Sequence, residues 1–319
     1  MPLQPILTIL DPTSLCGREL VERAAATLAG VSLRLFHTQG VDEHLLLEAA
    51  GEAHLVQPLR EPDELDGSNV LVVTDAPPPT LAAALTLWLC AHPDLVVLDL
   101  TQPGIVPEAE QVWLTLPQAN ARPRRLHLVD PALQAPLHLV RAVAALAPTA
   151  CQLTLLRPAA TFGTDALEEL AHQGAARLSG RPAERAACLP GVLAFDIAPV
   201  AGVRLEALMA QVAAVMPGVA SVVQVMDAGV FHGHLATISL TLQAPAKGER
   251  VRALLRASPA LRLARANEHV SIAIAVAGDT AVCGGIQLAG ASMSAWLVSD
   301  GLRLSAVAAA GLLDAVTAM

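Results

Sequence analysis

Over its first 130 residues the chain alternates short β-rich runs with helical ones, and few folds accept that pattern. Residues 6–10, 31–36, 70–74, 95–100, 112–116 and 126–129 are rich in Val, Leu and Ile, and helical stretches are read over 18–28 and 80–91. Neighbouring parallel strands need a crossover connection long enough to pack back on the sheet, so this alternation predicts a parallel doubly wound sheet. Pro77-Pro78-Pro79 stands just before the second helix, where a fixed φ and a missing donor are tolerated.

The first strand runs straight into Asp11-Pro12-Thr13-Ser14-Leu15-Cys16-Gly17, the place of a dinucleotide-binding turn. In such a turn two glycines let the backbone reach the pyrophosphate, and a third lets helix pack on strand. Only the third is kept, as Gly17, and Asp11 stands in the place of the first. A carboxylate there supplies the negative charge that a helix N-terminus otherwise takes from its ligand. The second strand ends in Phe36-His37-Thr38-Gln39-Gly40, with no arginine to hold a 2′-phosphate.

Beyond residue 130 the layout changes. Helices are read over 133–146 and 164–178, the latter with Asp165 at its positive end, and strands over 152–156, 221–225, 230–242 and 269–276. The expected organisation is an α/β protein: a Rossmann-like doubly wound domain of residues 1–130 and 301–319, and an α+β domain of residues 131–300 with a mixed or antiparallel sheet. The amphipathic stretch 302–319 follows Asp300-Gly301 and suits a helix returning to the first domain.

Composition narrows the function classes. With 54% apolar residues in 319, the chain folds without staples. Its five cysteines, Cys16, Cys90, Cys151, Cys188 and Cys283, are odd in number and scattered, which points to reduced thiols in a cytoplasm. A net charge of −9 with no basic run disfavours nucleic acid. The start Met1-Pro2-Leu3-Gln4 has no basic flank or long apolar core, so no secretory signal is expected. Uncharged stretches at 207–226 and 281–299 are broken by Pro217-Gly218 and by Gly284-Gly285 and Gly290, so no membrane span is expected either.

Three landmarks, in order, carry a resemblance. They are Ala194-Phe195-Asp196-Ile197-Ala198-Pro199, then Val230-Phe231-His232-Gly233-His234, then Val298-Ser299-Asp300-Gly301-Leu302-Arg303. Together with the helix bearing Glu168-Glu169-Leu170, they resemble the aspartate-semialdehyde dehydrogenase family, and most closely its Usg-type paralogues. The resemblance implies a dehydrogenase-type dimerisation domain in the second half, a homodimer through its sheet, and an NADP cofactor. It also implies a cysteine nucleophile, a proton-moving histidine and a substrate-binding arginine.

Matched residue by residue, the catalytic machinery is depleted. The nucleophile's place in Asp130-Pro131-Ala132 falls on Ala132, and residues 121–148 contain no Cys, Ser or Thr to replace it. His234 takes the acid–base position, where an imidazole has the right chemistry. The substrate arginine's place falls on Asp227, a carboxylate that would repel an acidic substrate, and the family's glutamine falls on Arg157. On the cofactor side the resemblance retains Thr13, Gly17, Gly163 and Arg303, with Phe162 intruding where a nicotinamide would lie.

His232 and His234, two apart on an expected strand, share a face and could bind a metal, but no third ligand is identifiable. Cys16 at a helix N-terminus reads as a small buried hydrophobe in preference to a reactive thiol. The facing of Cys151 is left open. Three functions remain: a catalytically silent, dimeric regulatory or partner-binding homologue, which is the favoured reading; an oxidoreductase on an altered substrate using His234 and Arg157; and a sensor of a nucleotide or acidic metabolite.

Overall fold

The computed structural model describes residues 5–28, 30–39, 43–106, 109–112, 124–276 and 278–317. Two compact units divide the chain: Met1–Val129 with Ser305–Met319, and Asp130–Leu304. The fold class is α/β with two sheets, as the patterning predicts.

In the first unit the elements run β1 (Ile6–Leu10), α1 (Leu15–Thr27), β2 (Ser32–His37), β3 (Leu45–Ala49), β4 (Glu52–Pro58), β5 (Val70–Val73), α2 (Pro79–Ala91), β6 (Val96–Asp99), β7 (Glu110–Val112) and β8 (Arg125–Leu128). They form a sheet of order β3-β4-β2-β1-β5-β6-β8-β7. Every pairing is parallel except β3 on β4. All four residues of β5 are buried, which is why its sequence is continuously apolar instead of alternating. Of the expected strand at 112–116 only Val112 is in a described strand; 113–116 lie outside the described residues.

The β3–β4 hairpin has no counterpart in the sequence expectations. Its turn is Ala50-Gly51, with φ 51° and 78°. A two-residue hairpin loop needs this double left-handed conformation, and Asn-Gly or Asp-Gly is its usual signature. Here alanine takes the strained first place, so the signal is missing.

The second unit runs α3 (Pro131–Ala142), β9 (Pro148–Arg157), α4 (Thr164–Leu178), β10 (Ile197–Pro199), α5 (Val203–Val215), β11 (Ala220–Ala228), β12 (His234–Leu242), α6 (Gly248–Ala257), β13 (Leu261–Leu263), α7 (Ile272–Ala275), β14 (Ala281–Ala289) and β15 (Ser292–Ser299). The last helix, α8 (Gly301–Thr317), starts here and belongs to the first unit from Ser305 on. The sheet is mixed, of order β10-β11-β9-β12-β15-β14-β13. Among the described residues no helix is long and apolar enough to cross a membrane.

Two expected strands are corrected. The run 230–242 begins as a strand only at His234, because Gly233 has φ 83° and the site of its absent Cβ lies 2.1 Å from the Ile272 side chain. That close approach requires a loop with glycine at 233. Residues 269–276 hold the short helix Ile272–Ala275 instead of a strand. Their apolar β-branched pattern is satisfied by packing: Ile272 and Val270 lie against the buried pair Val282 and Val298.

Helix α4 also organises a strap that follows it. The Glu169 carboxylate accepts from the backbone N–H groups of Ala186, Cys188 and Leu189 at 2.9, 2.9 and 3.1 Å. Gln173 Oε1 accepts from those of Leu193 and Ala194 at 2.9 and 3.3 Å. Burial pushes the Glu169 carboxyl up, but the donated hydrogen bonds outweigh it and hold the group below its usual range. Its contribution to stability is therefore present above the ordinary carboxylate pKa and is lost as acid protonates it in the folded state. Glu169→Ala leaves three backbone donors without that acceptor, so a loss of about 2–4 kcal/mol in unfolding free energy is expected in urea denaturation at pH 7.

Candidate functional site

The turn after β1 is satisfied from within. Asp11 adopts φ 54° and is 3% exposed. Its carboxylate accepts from Thr38 N–H at 2.7 Å and Thr38 Oγ1–H at 2.6 Å, tying the end of β1 to the residue after β2. Helix α1 starts at Leu15, earlier than the expected 18, because Ser14 caps it: Ser14 Oγ accepts from Gly17 N–H at 3.0 Å. The Ser14 N–H donates to Asp11 O at 3.0 Å, and Thr74 Oγ1 lies 2.7 Å from the same carbonyl. Gly17 is obligatory here, since a Cβ would lie 2.6 Å from Asp11 O and 2.8 Å from both Ser14 Oγ and Thr74 Oγ1.

A pyrophosphate at such a turn is held by unspent backbone donors and the positive end of the helix. Here Gly17 N–H is spent on Ser14 and Ser14 N–H on Asp11, with a carboxylate alongside. The Thr13 carbonyl takes Arg18 Nε–H at 3.0 Å. At the end of β2, where an arginine would hold a 2′-phosphate, Gln39 Nε2 donates to Ala76 O at 3.2 Å. These residues do not fit NADP. Of the remaining cofactor-side positions, Gly163 is the N-cap of α4 at φ 93°, and Arg303 Nε donates to Asp279 Oδ1 at 2.7 Å. Both belong to the second unit, whereas Thr13 and Gly17 belong to the first.

In the second unit the strand register assembles the candidate catalytic positions. Arg157 on β9 pairs with Asp227 on β11, and His234 on β12 pairs with Ser299 on β15. One step beyond the Leu235–Leu156 pair, the antiparallel register sets His234 opposite Arg157. Cross-strand partners share a face, so Asp227, Arg157, His234 and Ser299 form one row across four strands. All four are buried.

Within that row Arg157 Nε donates to Asp227 Oδ1 at 3.0 Å. Arg157 Nη2 lies 2.9 Å from the same oxygen but is not aligned for a hydrogen bond. The arginine is thus an ion-paired group, and the carboxylate at 227 is cancelled instead of being left to repel a ligand. Phe162 has the Arg157 and Arg204 guanidinium carbons 5.6 and 5.2 Å from its ring centre, within cation–π range.

His234 Nδ1 accepts from Gly301 N–H at 3.2 Å, which puts the proton on Nε2. Nε2 is buried and has no hydrogen-bond partner. Complete burial, and then the nearby Arg157 charge, push the imidazole down to about 3. It is neutral at physiological pH and a poor proton acceptor, but it presents an N–H. Gly301 is wedged in place: a Cβ there would lie 2.3 Å from Pro131 O and 2.8 Å from His234 Nδ1. The start of α3 therefore lies beside His234, and Ala132 with it. Asp130 caps α3, its Oδ1 accepting from Ala132 N–H at 2.8 Å, and Asp130 N–H donates to Gln211 Oε1 at 2.8 Å.

The remaining sequence candidates separate. His232 is exposed in the loop before β12, so it does not share a strand face with buried His234. Among the described residues no group of three metal-ligating side chains gathers. Cys151 is buried on β9 and its thiol is pushed up to about 11 by burial, which makes it inert as a nucleophile. One polar cluster escaped the sequence reading. Asp99, fully buried at the end of β6, accepts from Thr101, Ile105 and Val106 backbone N–H groups, and His127 bridges Gln111 and the Thr101 carbonyl. Only its position at a strand's carboxyl end hinted at it.

Two measurements probe these geometries. Gly301→Ala should cost about 3 kcal/mol or more by forcing Pro131 and His234 apart, read as a drop in Tm. Burial raises the Asp11 carboxyl to about 6. A raised folded pKa gives stability that is full below about 3.8 and is lost as pH rises through about 6. Asp11→Asn removes that titration and tolerates the left-handed backbone. Its stability relative to the parent should therefore climb by about 2 kcal/mol between pH 4 and 7, and a flat difference would refute the shift.

No protein-family model matches the chain, and no curated protein matches its sequence. Solved structures do match it. Aspartate semialdehyde dehydrogenase II of Vibrio cholerae, in complex with ASA, superposes with a TM-score of 0.82 at 19% identity, over 98% of each chain. A probable aspartate-semialdehyde dehydrogenase of Pseudomonas aeruginosa gives 0.76 at 18% identity over 95% of this chain and 96% of that one. The Francisella tularensis aspartate semialdehyde dehydrogenase gives 0.79 at 10% identity over 98% and 99%. From end to end, the chain has the fold of the aspartate-semialdehyde dehydrogenases.

Proposed function

We propose that this protein is a catalytically silent homologue of the aspartate-semialdehyde dehydrogenases, of the Usg type, acting in the cytoplasm as a homodimeric regulatory or partner-binding protein. The observation that carries this reading is Ala132 beside His234. The second residue of α3, in the nucleophile's place, is a buried methyl group, and its N–H is closed by Asp130. A methyl group forms no acyl-enzyme, and residues 121–148 supply no other thiol or hydroxyl. Arg157, paired with Asp227, has no free charge for a substrate carboxylate. The self-satisfied turn at Asp11–Gly17 argues in the same sense against NADP.

The homodimer reading is supported by the uncovered side of the second sheet. Gln152, Val222, Gln224, Thr237 and Ser239 are exposed there, Val222 at 57%. Phe195 and Ile197 stand 67% and 53% exposed nearby, around a cavity of about 510 Å³ that Leu156, Ala228 and Ile272 also line. Exposed Val222, Phe195 and Ile197, set among the polar Gln152, Gln224, Thr237 and Ser239, give an apolar patch with a polar surround, as association surfaces have. The buried His234 Nε2–H, which has no hydrogen-bond partner, favours a second reading in which the site still receives a small ligand.

With NADP, phosphate and aspartate semialdehyde, the purified protein should give no turnover above the blank; clear turnover would overturn the silent reading. Sedimentation at micromolar concentration should show a dimer, and a monomer would remove the proposed interface.

A further inference from the structure

Helix α4 ends in a Schellman turn that fixes the residues after it. Gly180 takes φ 71° and its N–H donates to Arg177 O at 3.1 Å, while Arg181 N–H reaches back to Ala176 O at 2.9 Å. The Arg181 side chain is held as well. Its Nε donates to Ser179 Oγ at 2.9 Å, and that hydroxyl donates to Ala175 O at 2.8 Å. The orientation of a planar, five-donor fork is thereby set before any ligand arrives. The strap tethered by Glu169 and Gln173 brings Pro182, Ala183 and Val192 beside Arg177 and Arg181, around a cavity of about 570 Å³.

The charge of this cavity runs against that of the chain. With 29 acidic residues to 20 basic overall, two guanidiniums line it and no carboxylate does. Arg124, Arg157, Arg262 and Arg303 each have a carboxylate partner, but among the described residues Arg177 and Arg181 are in no ion pair. Glu184, the nearest acid in sequence, is exposed and outside the lining. Nor does the negative end of α4 occupy the two arginines, since the carbonyls of Ala175, Ala176 and Arg177 are taken by backbone donors. Two like charges on one cavity repel, and a doubly charged oxyanion removes that cost while meeting both forks.

We infer that this cavity is a binding site for a phosphate monoester, separate from the catalytic row and independent of whether that row is silent. The phosphate oxygens meet Arg177 and Arg181, and Pro182, Ala183 and Val192 offer an apolar wall to the group that carries the ester. A carboxylate, with one charge and two oxygens, matches a single fork.

The test is a titration of the full-length protein, with arginine labelled with ¹⁵N, at constant ionic strength and at pH 7.5, where a phosphate monoester carries close to two charges. Inorganic phosphate, monobutyl phosphate and butyrate are compared through the Nε–H signal of Arg181, assigned by its loss in Arg181→Gln. Both phosphates should give a saturable shift, the ester binding at least as tightly as free phosphate and butyrate at least about tenfold more weakly than either. Arg177→Gln keeps the reporter and should weaken both phosphates by about tenfold or more. Arg177 is exposed, so the variant alters the site without disturbing the core. Butyrate binding as tightly as the phosphates overturns the inference, as does no saturable shift or phosphate binding unchanged in Arg177→Gln; the two arginines would then be a solvated pair. Free phosphate binding without the ester overturns the monoester assignment.

Discussion

The buried ion pair between Arg157 and Asp227 is the interaction on which the second unit's chemistry turns. Taking a guanidinium and a carboxylate out of water costs several kcal/mol each, and only close contact returns it. The contact exists because β9 and β11 run parallel with 157 and 227 in register. A slip of either strand by one residue would put the two charges on opposite faces of the sheet. The pair thus ties charge neutrality to sheet register, and His234 inherits its surroundings from it: the neighbouring positive charge helps keep the imidazole neutral.

A second regularity concerns helix ends. At α1 the Ser14 hydroxyl takes a backbone donor, and at α3 the Asp130 carboxylate takes another. A helix N-terminus is where an anionic ligand could be received. In both, the chain's own side chains stand in for it. The contrast with the row beside α3 is physical: at each helix end a side chain of the chain itself takes a backbone donor, whereas the buried His234 Nε2–H has no partner.

Much of the first unit was legible because its central strands are buried on both faces, which writes an unbroken apolar run into the sequence at 70–73. The β3–β4 hairpin was not, because Ala50 adopts a left-handed conformation that alanine does not advertise. Residues 269–276 carry a strand's composition but are packed as a helix, since burying Ile272 against Gly233 outweighs a weak local preference. Resemblance could place Ala132, Arg157, Asp227 and His234 one at a time. It could not show that 157 and 227, seventy positions apart, neutralise each other, because that depends on register between strands.

Titration in the two units runs in opposite directions over the same pH range. Asp11, raised to about 6, makes the fold less stable as pH rises from about 4. His234, lowered to about 3, makes it more stable as pH rises toward 6.5, because the unfolded imidazole binds the proton that the folded one refuses. The two slopes offset, so a flat pH–stability curve for the whole protein would be no sign of ordinary pKa values. What Asp11 costs near neutrality goes into clamping β1 to Thr38, which closes the turn between the first strand and α1 from within.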